Sequence, residues 1–149
     1  MKKTYPDPRL APLVIVDDSD DDVFLLRHRL REGGITHPIH AFGSPTEALA
    51  FLGGLHQLPE IVFTDIRMPV GCGFALIAAI RENPAWDAIR IAVVSMSNEA
   101  ADFERAIALG ANGYLLKFPP ADLLAEFVHS GPWISVHSAR GAALHAALA

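Results

Sequence analysis

The sequence predicts one α/β domain built on a parallel β-sheet with helices on both faces. Five short apolar runs alternate with segments whose apolar residues have helical spacing, as in consecutive strand–helix units. The composition fits a globular domain, because 51% of the residues are apolar and only 19% are charged. The length of 149 residues corresponds to a single domain of ordinary size.

Composition also argues against several classes of protein. The 12 basic and 17 acidic residues give a net charge of −5, which does not favour a nucleic-acid-binding surface. The single cysteine, Cys72, excludes an intrachain disulfide and fits a cytoplasmic protein. No apolar run approaches the roughly 18 residues that span a bilayer, and no apolar segment follows Lys2 and Lys3 as a signal peptide requires. We therefore expect no membrane and no direct nucleic-acid partner.

The first half of the chain contains three strand–helix units. Apolar runs at 13–16, 38–42 and 61–64 predict strands, and helical patterns follow at 20–31, at 45 to about 52, and around Phe74, Ile77 and Ile80. The first helix has acidic residues at its start and arginines at its end, as the helix dipole favours. The segment Ser44-Pro45-Thr46-Glu47 is a capping box that predicts the start of the second helix.

Two further units occupy the second half. Apolar runs at 91–94 and 113–116 predict the last two strands. Asn98 is a candidate cap for a helix that ends at Leu109, before Gly110, and Pro119-Pro120 opens a last helix that reaches about His129. The tail from Trp133 to Ala149 is too short for a second domain, and we expect at most a short helix there.

Several chemically active residues stand where predicted strands end. They are Asp17, Asp18, Asp65, Ser95 and Lys117. Ligands of an open parallel sheet bind beyond the carboxyl ends of its strands, so these side chains should meet at one edge. A polar residue at a strand end is by itself an ordinary boundary feature, and only the combination points to a site.

Such a combination suits phosphoryl transfer to a carboxylate. Three carboxylates at one point repel each other, and a hard divalent cation relieves that repulsion. Few protein oxygens, several waters and a phosphate oxygen are the ligands that Mg²⁺ prefers. Lys117 can pair with a phosphoryl oxygen, and the hydroxyl of Ser95 can donate a hydrogen bond. This set therefore predicts a magnesium-dependent phosphoacceptor site.

Four segments of the chain resemble a known family. VIVDDSDDD (14–22), VFTDIRMP (62–69), VVSMS (93–97) and GYLLK (113–117) are similar to segments of the receiver domain of bacterial two-component response regulators. Lys117 follows Asp65 by 52 residues and Ser95 follows it by 30, which agrees with that family. The resemblance covers residues 12 to 130. It implies a doubly wound, five-stranded parallel sheet of flavodoxin-like order 2-1-3-4-5.

The resemblance also implies a role for each matching residue. Asp65 matches the phosphoacceptor, with Ser95 and Lys117 as the groups that contact the phosphoryl group. The residues implied as magnesium ligands are Asp17, Asp18, Asp65 and the backbone carbonyl of Arg67. Ser95 and Tyr114 match the switch pair. The implied mechanism is transfer of a phosphoryl group from a phosphohistidine on a sensor histidine kinase, or on a histidine phosphotransfer protein, followed by a shift of Ser95 and Tyr114.

We expect a receiver domain over residues 1–132, with its core at 12–130, and a tail at 133–149 without a separate output domain. Such a stand-alone regulator would signal through a partner surface or pass the phosphoryl group on, and it could form a homodimer. It would be a phosphoacceptor and not an enzyme beyond its own phosphorylation and dephosphorylation. Two alternatives stay open: a pseudo-receiver that binds partners without phosphorylation, and a metal-dependent phosphatase.

One departure from the family pattern leads to a conformational prediction. The family usually has proline directly after the lysine, often with a cis bond, whereas Phe118 stands there before Pro119 in this chain. A cis bond before a residue other than proline costs about 2.5–4 kcal/mol. We therefore predict that any cis bond has moved to Phe118–Pro119 or is absent.

Overall fold

The computed structural model describes residues 6–69, 71–130, 135–137 and 143–145. Its strands are β1 (Leu13–Val16), β2 (Ile39–Phe42), β3 (Ile61–Thr64), β4 (Arg90–Ser95), β5 (Gly113–Leu116), β6 (Ser135–His137) and β7 (Ala143–His145). Its α-helices are α1 (Asp20–Glu32), α2 (Pro45–Gly53), α3 (Gly73–Glu82), α4 (Ala100–Leu109) and α5 (Ala121–His129), and a short 3-10 helix covers Pro84–Trp86. No described helix is both long and apolar enough to cross a membrane.

The first five strands are parallel and lie in the order β2-β1-β3-β4-β5. This confirms the predicted fold class and strand order. The register pairs Val16 with Thr64 and Val93 with Thr64, so β1, β3 and β4 end at the same edge of the sheet. The loops that follow these strands consequently open onto one site.

Alternate residues of the buried strands supply two apolar layers, one on each face of the sheet. One layer packs under α1 and α5, and its strand residues include Leu13, Ile15, Phe63 and Leu115. The other packs under α2, α3 and α4, and it includes Val14, Val16, Val62 and Val93. With helices on both faces, the central strands are fully buried, which explains why they read as continuous apolar runs.

Two predicted helix ends are confirmed by the local geometry, and one is not. Ser44 Oγ accepts a hydrogen bond from Glu47 N at 3.3 Å, as the capping box requires. Gly110 ends α4 in the left-handed conformation, with φ 112°. The prediction that Asn98 caps α4 is wrong. The cap position is Glu99, and the Ser97 hydroxyl accepts a hydrogen bond from Glu99 N at 3.3 Å, so the turn before α4 is organised by Ser97 instead.

The described part of the tail extends the sheet. β6 pairs parallel with β5, with Val136 opposite Tyr114, and β7 pairs antiparallel with β6. The expectation of a short helix is wrong for these residues, because the backbone groups on the free edge of β5 offer hydrogen-bond partners that favour another strand. The prediction that residues 133–149 form no separate output domain stays a prediction.

Candidate phosphoacceptor site

The ammonium group of Lys117 lies among three carboxylates at the carboxyl end of the sheet. Its Nζ is 2.9 Å from Asp17 Oδ2, 2.6 Å from Asp22 Oδ2 and 2.9 Å from Asp65 Oδ2. Lys117 follows β5, Asp17 follows β1 and Asp65 follows β3, so the three meet because parallel strands end together. The Lys117 side chain is only 5% exposed, which shields these ion pairs from water.

The loop after β3 fixes the Asp65 side chain by local hydrogen bonds. Asp65 Oδ1 accepts a hydrogen bond from Ile66 N at 2.7 Å and a longer one from Arg67 N at 3.4 Å. On the other side, Gly73 starts α3 directly against the Asp65 carbonyl. A Cβ at position 73 would lie 2.0 Å from that oxygen, so only glycine fits this approach. One carboxylate oxygen of Asp65 therefore faces the loop backbone, and the other faces Lys117.

The electrostatics of the cluster are dominated by burial and by surplus negative charge. Burial raises the pKa of Asp17, and the nearby charge of Asp65 adds to this, although hydrogen bonds from Ser19 and Lys117 oppose it. Burial would lower the pKa of Lys117, but hydrogen bonds to Asp22, Asp65 and Asp17 outweigh it and raise that pKa. Lys117 is therefore charged, and three carboxylates share one ammonium.

The donor set fits Mg²⁺ although no complete side-chain cage is present. In the described part of the chain, no group of three or more acidic, histidine or cysteine side chains is arranged to hold a metal ion. Mg²⁺ keeps several waters and usually takes one or two carboxylates, so it does not need such a cage. Asp17 and Asp65 offer hard oxygen ligands, and their surplus negative charge would be relieved by a cation.

Ser95 and Tyr114 are connected through one short segment after β4. Ser95 is buried, and its Oγ accepts a hydrogen bond from Ser97 N at 3.1 Å. Tyr114 is also buried, and its hydroxyl donates to the Ser97 carbonyl at 2.9 Å. Burial raises the pKa of Tyr114, so its hydroxyl keeps its proton and remains a donor. The two predicted switch residues thus hold opposite sides of the same residue, Ser97.

An open cleft of about 540 Å³ gives access to Asp65. Its lining includes Asp65, Ser95, Ser97 and Arg67. Arg67 also forms an ion pair with Asp102 in the first turn of α4, with Nη2 at 2.9 Å from Oδ2. The cleft has room for a phosphoryl group and is bounded by hydroxyl and guanidinium donors.

The structure brings most of the sequence-predicted residues together, but not all in the expected way. Asp17, Asp65 and Lys117 are in direct contact. Asp18 is exposed and is not among the ion-pair partners of Lys117. Sequence analysis missed Asp22, because it treated the acidic residues at the start of the first helix only as favourable to the helix dipole. Ser19 caps α1 and accepts from Asp22 N, and this cap was the available signal that Asp22 lies in the first turn beside Asp17.

The prediction about the bond after Lys117 is wrong. The Lys117–Phe118 peptide bond is cis. The prediction considered only the intrinsic preference of an isolated peptide bond. It left out the tertiary contacts of Lys117, whose ammonium is held by three carboxylates from other elements.

Comparison with known proteins agrees with this fold. The family model of the response regulator receiver domain matches residues 13–128. An uncharacterised 14.6 kDa protein of Leptolyngbya boryana is 31% identical over 112 residues, which are 75% of this chain and 81% of that protein. The two-component response regulator ARR5 of Arabidopsis thaliana is 29% identical over 74% of this chain and 64% of its own length.

A solved structure shows the same arrangement of elements. The crystal structure of a putative response regulator from Chloroflexus aurantiacus superposes with a TM-score of 0.73 at 26% identity, covering 81% of this chain and 96% of that one. The family match spans all five parallel strands and the loops that carry Asp17, Asp65, Ser95 and Lys117. The chain therefore belongs to the receiver domain family of response regulators.

Proposed function

We propose that this receiver domain accepts a phosphoryl group on Asp65 from a phosphohistidine, in a magnesium-dependent reaction. The donor would be a sensor histidine kinase or a histidine phosphotransfer protein. The observation that carries this proposal is the contact of Lys117 Nζ with Asp65 Oδ2 at 2.9 Å, beside the cleft that also contains Ser95. Asp65 is thus at once anchored, accessible and next to a cation that can pair with phosphoryl oxygens.

In the proposed reaction, the P–N bond of the phosphohistidine breaks and a P–O bond to the Asp65 carboxylate forms. The freed imidazole takes a proton from solvent. Lys117 holds one Asp65 oxygen and offers positive charge to the incoming phosphoryl oxygens. Ser95 lines the same cleft as Asp65, and its Oγ can donate a hydrogen bond to them.

The carboxylates of Asp17, Asp18 and Asp65, with the carbonyl of Arg67, are the proposed magnesium ligands. Bound there, Mg²⁺ would neutralise negative charge on the carboxylates and on the phosphoryl oxygens. Asp22 stands outside that set and is the carboxylate nearest to Lys117, at 2.6 Å. We assign Asp22 the task of orienting the ammonium towards Asp65.

Phosphorylation would act as a switch through Ser97. If Ser95 Oγ donated a hydrogen bond to a phosphoryl oxygen, the hydrogen bond that Ser95 Oγ accepts from Ser97 N would change. The hydrogen bond from the Tyr114 hydroxyl would still hold the Ser97 carbonyl. The segment that leads into α4 would then move, and with it the surface offered to a partner. Signalling would pass through that surface, or the phosphoryl group would be handed to another histidine. A cytoplasmic location and a homodimer are parts of the same proposal.

Intact-mass measurement after incubation with Mg²⁺ and acetyl phosphate tests the phosphoacceptor role. We expect the wild-type chain to gain the mass of one phosphoryl group and the Asp65→Asn variant to gain none. Omitting Mg²⁺ should strongly reduce the gain. An equal gain in both proteins would remove Asp65 as the acceptor, and no gain in the wild type with either acetyl phosphate or a kinase would support a pseudo-receiver.

Continuous release of phosphate from phosphate monoesters would instead favour a phosphatase. Light scattering during size-exclusion chromatography, with and without acetyl phosphate, tests the proposed homodimer. A monomeric mass under both conditions would contradict it.

A further inference from the structure

Arg67 lies in the loop after β3, which carries Asp65, but its side chain is paired with a residue of α4. Its backbone N donates to Asp65 Oδ1, whereas its guanidinium pairs with Asp102 Oδ2 at 2.9 Å in α4. The Arg67 side chain is 70% exposed, and it lines the same cleft as Asp65 and Ser95. Among the residues that the structure describes, Asp102 is the one ion-pair partner of this exposed guanidinium, so Arg67 can change partner at low cost.

Asp102 is shared between Arg67 and the segment next to the two proposed switch residues. Asp102 Oδ2 also accepts a hydrogen bond from Ser97 Oγ at 2.5 Å, and the Asp102 side chain is only 14% exposed. Ser97 is the residue whose backbone contacts both Ser95 and Tyr114. The Arg67–Asp102 ion pair therefore links the loop after β3 to the first turn of α4, next to Ser97.

We propose that Arg67 is a phosphoryl-binding residue, and that Asp102 competes with the phosphoryl group on Asp65 for its guanidinium. A phosphoryl group carries more negative charge than a carboxylate and matches the fork of a guanidinium. Once Asp65 is phosphorylated, Arg67 turns from Asp102 to the phosphoryl oxygens. Asp102 and Ser97 are then released from the loop after β3, and α4 loses one of its attachments. This inference rests on the proposed function of Asp65.

The competition predicts that substitutions of Arg67 and of Asp102 change the affinity for a phosphoryl analogue in opposite directions. Binding of beryllofluoride, which occupies the place of a phosphoryl group on a carboxylate, would be measured calorimetrically with Mg²⁺. We expect Arg67→Gln to weaken binding about five-fold and Asp102→Asn to strengthen it about three-fold, in the range of partly exposed ion pairs. Asparagine can still accept the Ser97 hydrogen bond, so Asp102→Asn removes the charge while keeping the packing of α4.

Two further variants make the test specific. In the Arg67→Gln/Asp102→Asn double variant, the strengthening caused by Asp102→Asn should vanish, because no guanidinium is left to be freed. Arg67→Lys should bind more tightly than Arg67→Gln. Weakened binding in Asp102→Asn, or a strengthening that persists in the double variant, would overturn the inference. Failure of the wild-type chain to bind beryllofluoride in an Asp65-dependent way would instead overturn the proposed function on which it rests.

Discussion

The two ends of the central sheet use charged side chains in opposite ways. At the amino end, arginines are matched with acceptors. Arg81 donates to the carbonyls of Gly110 and Ile89 and to Asn112 Oδ1, with further contacts to the carbonyls of Trp86 and Asp87. Arg90 pairs with Glu60 and donates to two carbonyls at the end of α5.

At the carboxyl end, the charges are left unbalanced. One ammonium, that of Lys117, faces three carboxylates, and the pKa of Asp17 is raised as a result of burial. The hydrogen bonds and ion pair at the amino end therefore contribute to stability, while the surplus of buried negative charge at the carboxyl end lowers it. Under the proposed function, that surplus is what a cation would relieve. The comparison suggests a rule for this sheet: the charged cluster with matched partners is structural, and the cluster with surplus negative charge is the proposed functional site.

The largest effect on stability is expected from Arg81→Met at the amino end. The substitution leaves the carbonyls of Gly110 and Ile89 without their side-chain donor. Asn112 Oδ1 loses its hydrogen bond from Arg81 but keeps the one from Ile91 N. Losing several hydrogen bonds from a charged group should lower the free energy of unfolding by about 3 kcal/mol. Urea unfolding followed by circular dichroism measures this.

Arg9→Met is the matched control for that substitution. Arg9 bonds only to Asp7 among the described residues, and its side chain is 88% exposed, so little change is expected. Equal losses of unfolding free energy in the two variants would show that the hydrogen bonds of Arg81 contribute no more to stability than those of an exposed arginine.

A smaller loss of stability, together with slower phosphorylation, is expected from Gly73→Ala at the carboxyl end. The new Cβ would collide with the Asp65 carbonyl, so the loop that carries Asp65 must shift. We expect about 2 kcal/mol of destabilisation and slower phosphorylation by acetyl phosphate. Gly53→Ala in α2 is the control, because a Cβ there meets nothing within 4 Å. Unchanged phosphorylation in Gly73→Ala would contradict the close approach of α3 to Asp65.

The smallest change in stability is expected from Asp17→Asn, and it is a gain where the other two substitutions cause a loss. Folding raises the pKa of Asp17 above its ordinary value of 3.8, so the folded protein binds more protons than the unfolded chain in the window just above that pH. The contribution of Asp17 to the free energy of unfolding therefore falls as pH rises through this window. We expect Asp17→Asn to be more stable than the wild type at pH 7, by about 1 kcal/mol.

Unfolding curves across this pH range check that expectation, since the difference between the two proteins should shrink as the pH falls towards 3.8. Glu60→Gln is the contrasting variant at the amino end. Glu60 accepts from Arg90 and His37, so its loss should lower stability and not raise it. Destabilisation by Asp17→Asn at pH 7 would show that the carboxyl end is balanced after all.

Much of the fold and part of the site could be predicted from local patterns. Strands such as Leu13–Val16 were visible because buried parallel strands are continuous apolar runs. The contact of Asp65 with Lys117 followed from their positions after strands of one parallel sheet. Asp22 was missed because its place at the start of a helix has an ordinary explanation in the helix dipole.

The sequence by itself determined the alternation of strands and helices, the cap at Ser44, and the strand-end residues that reach the carboxyl edge, because each depends on local spacing and on one rule of sheet geometry. Only the tertiary structure decided which carboxylates hold Lys117, that Arg67 pairs with Asp102, and that the described tail residues pair beside β5. These contacts join residues far apart in the chain, and side-chain reach and free hydrogen-bonding edges exist only once the elements are packed.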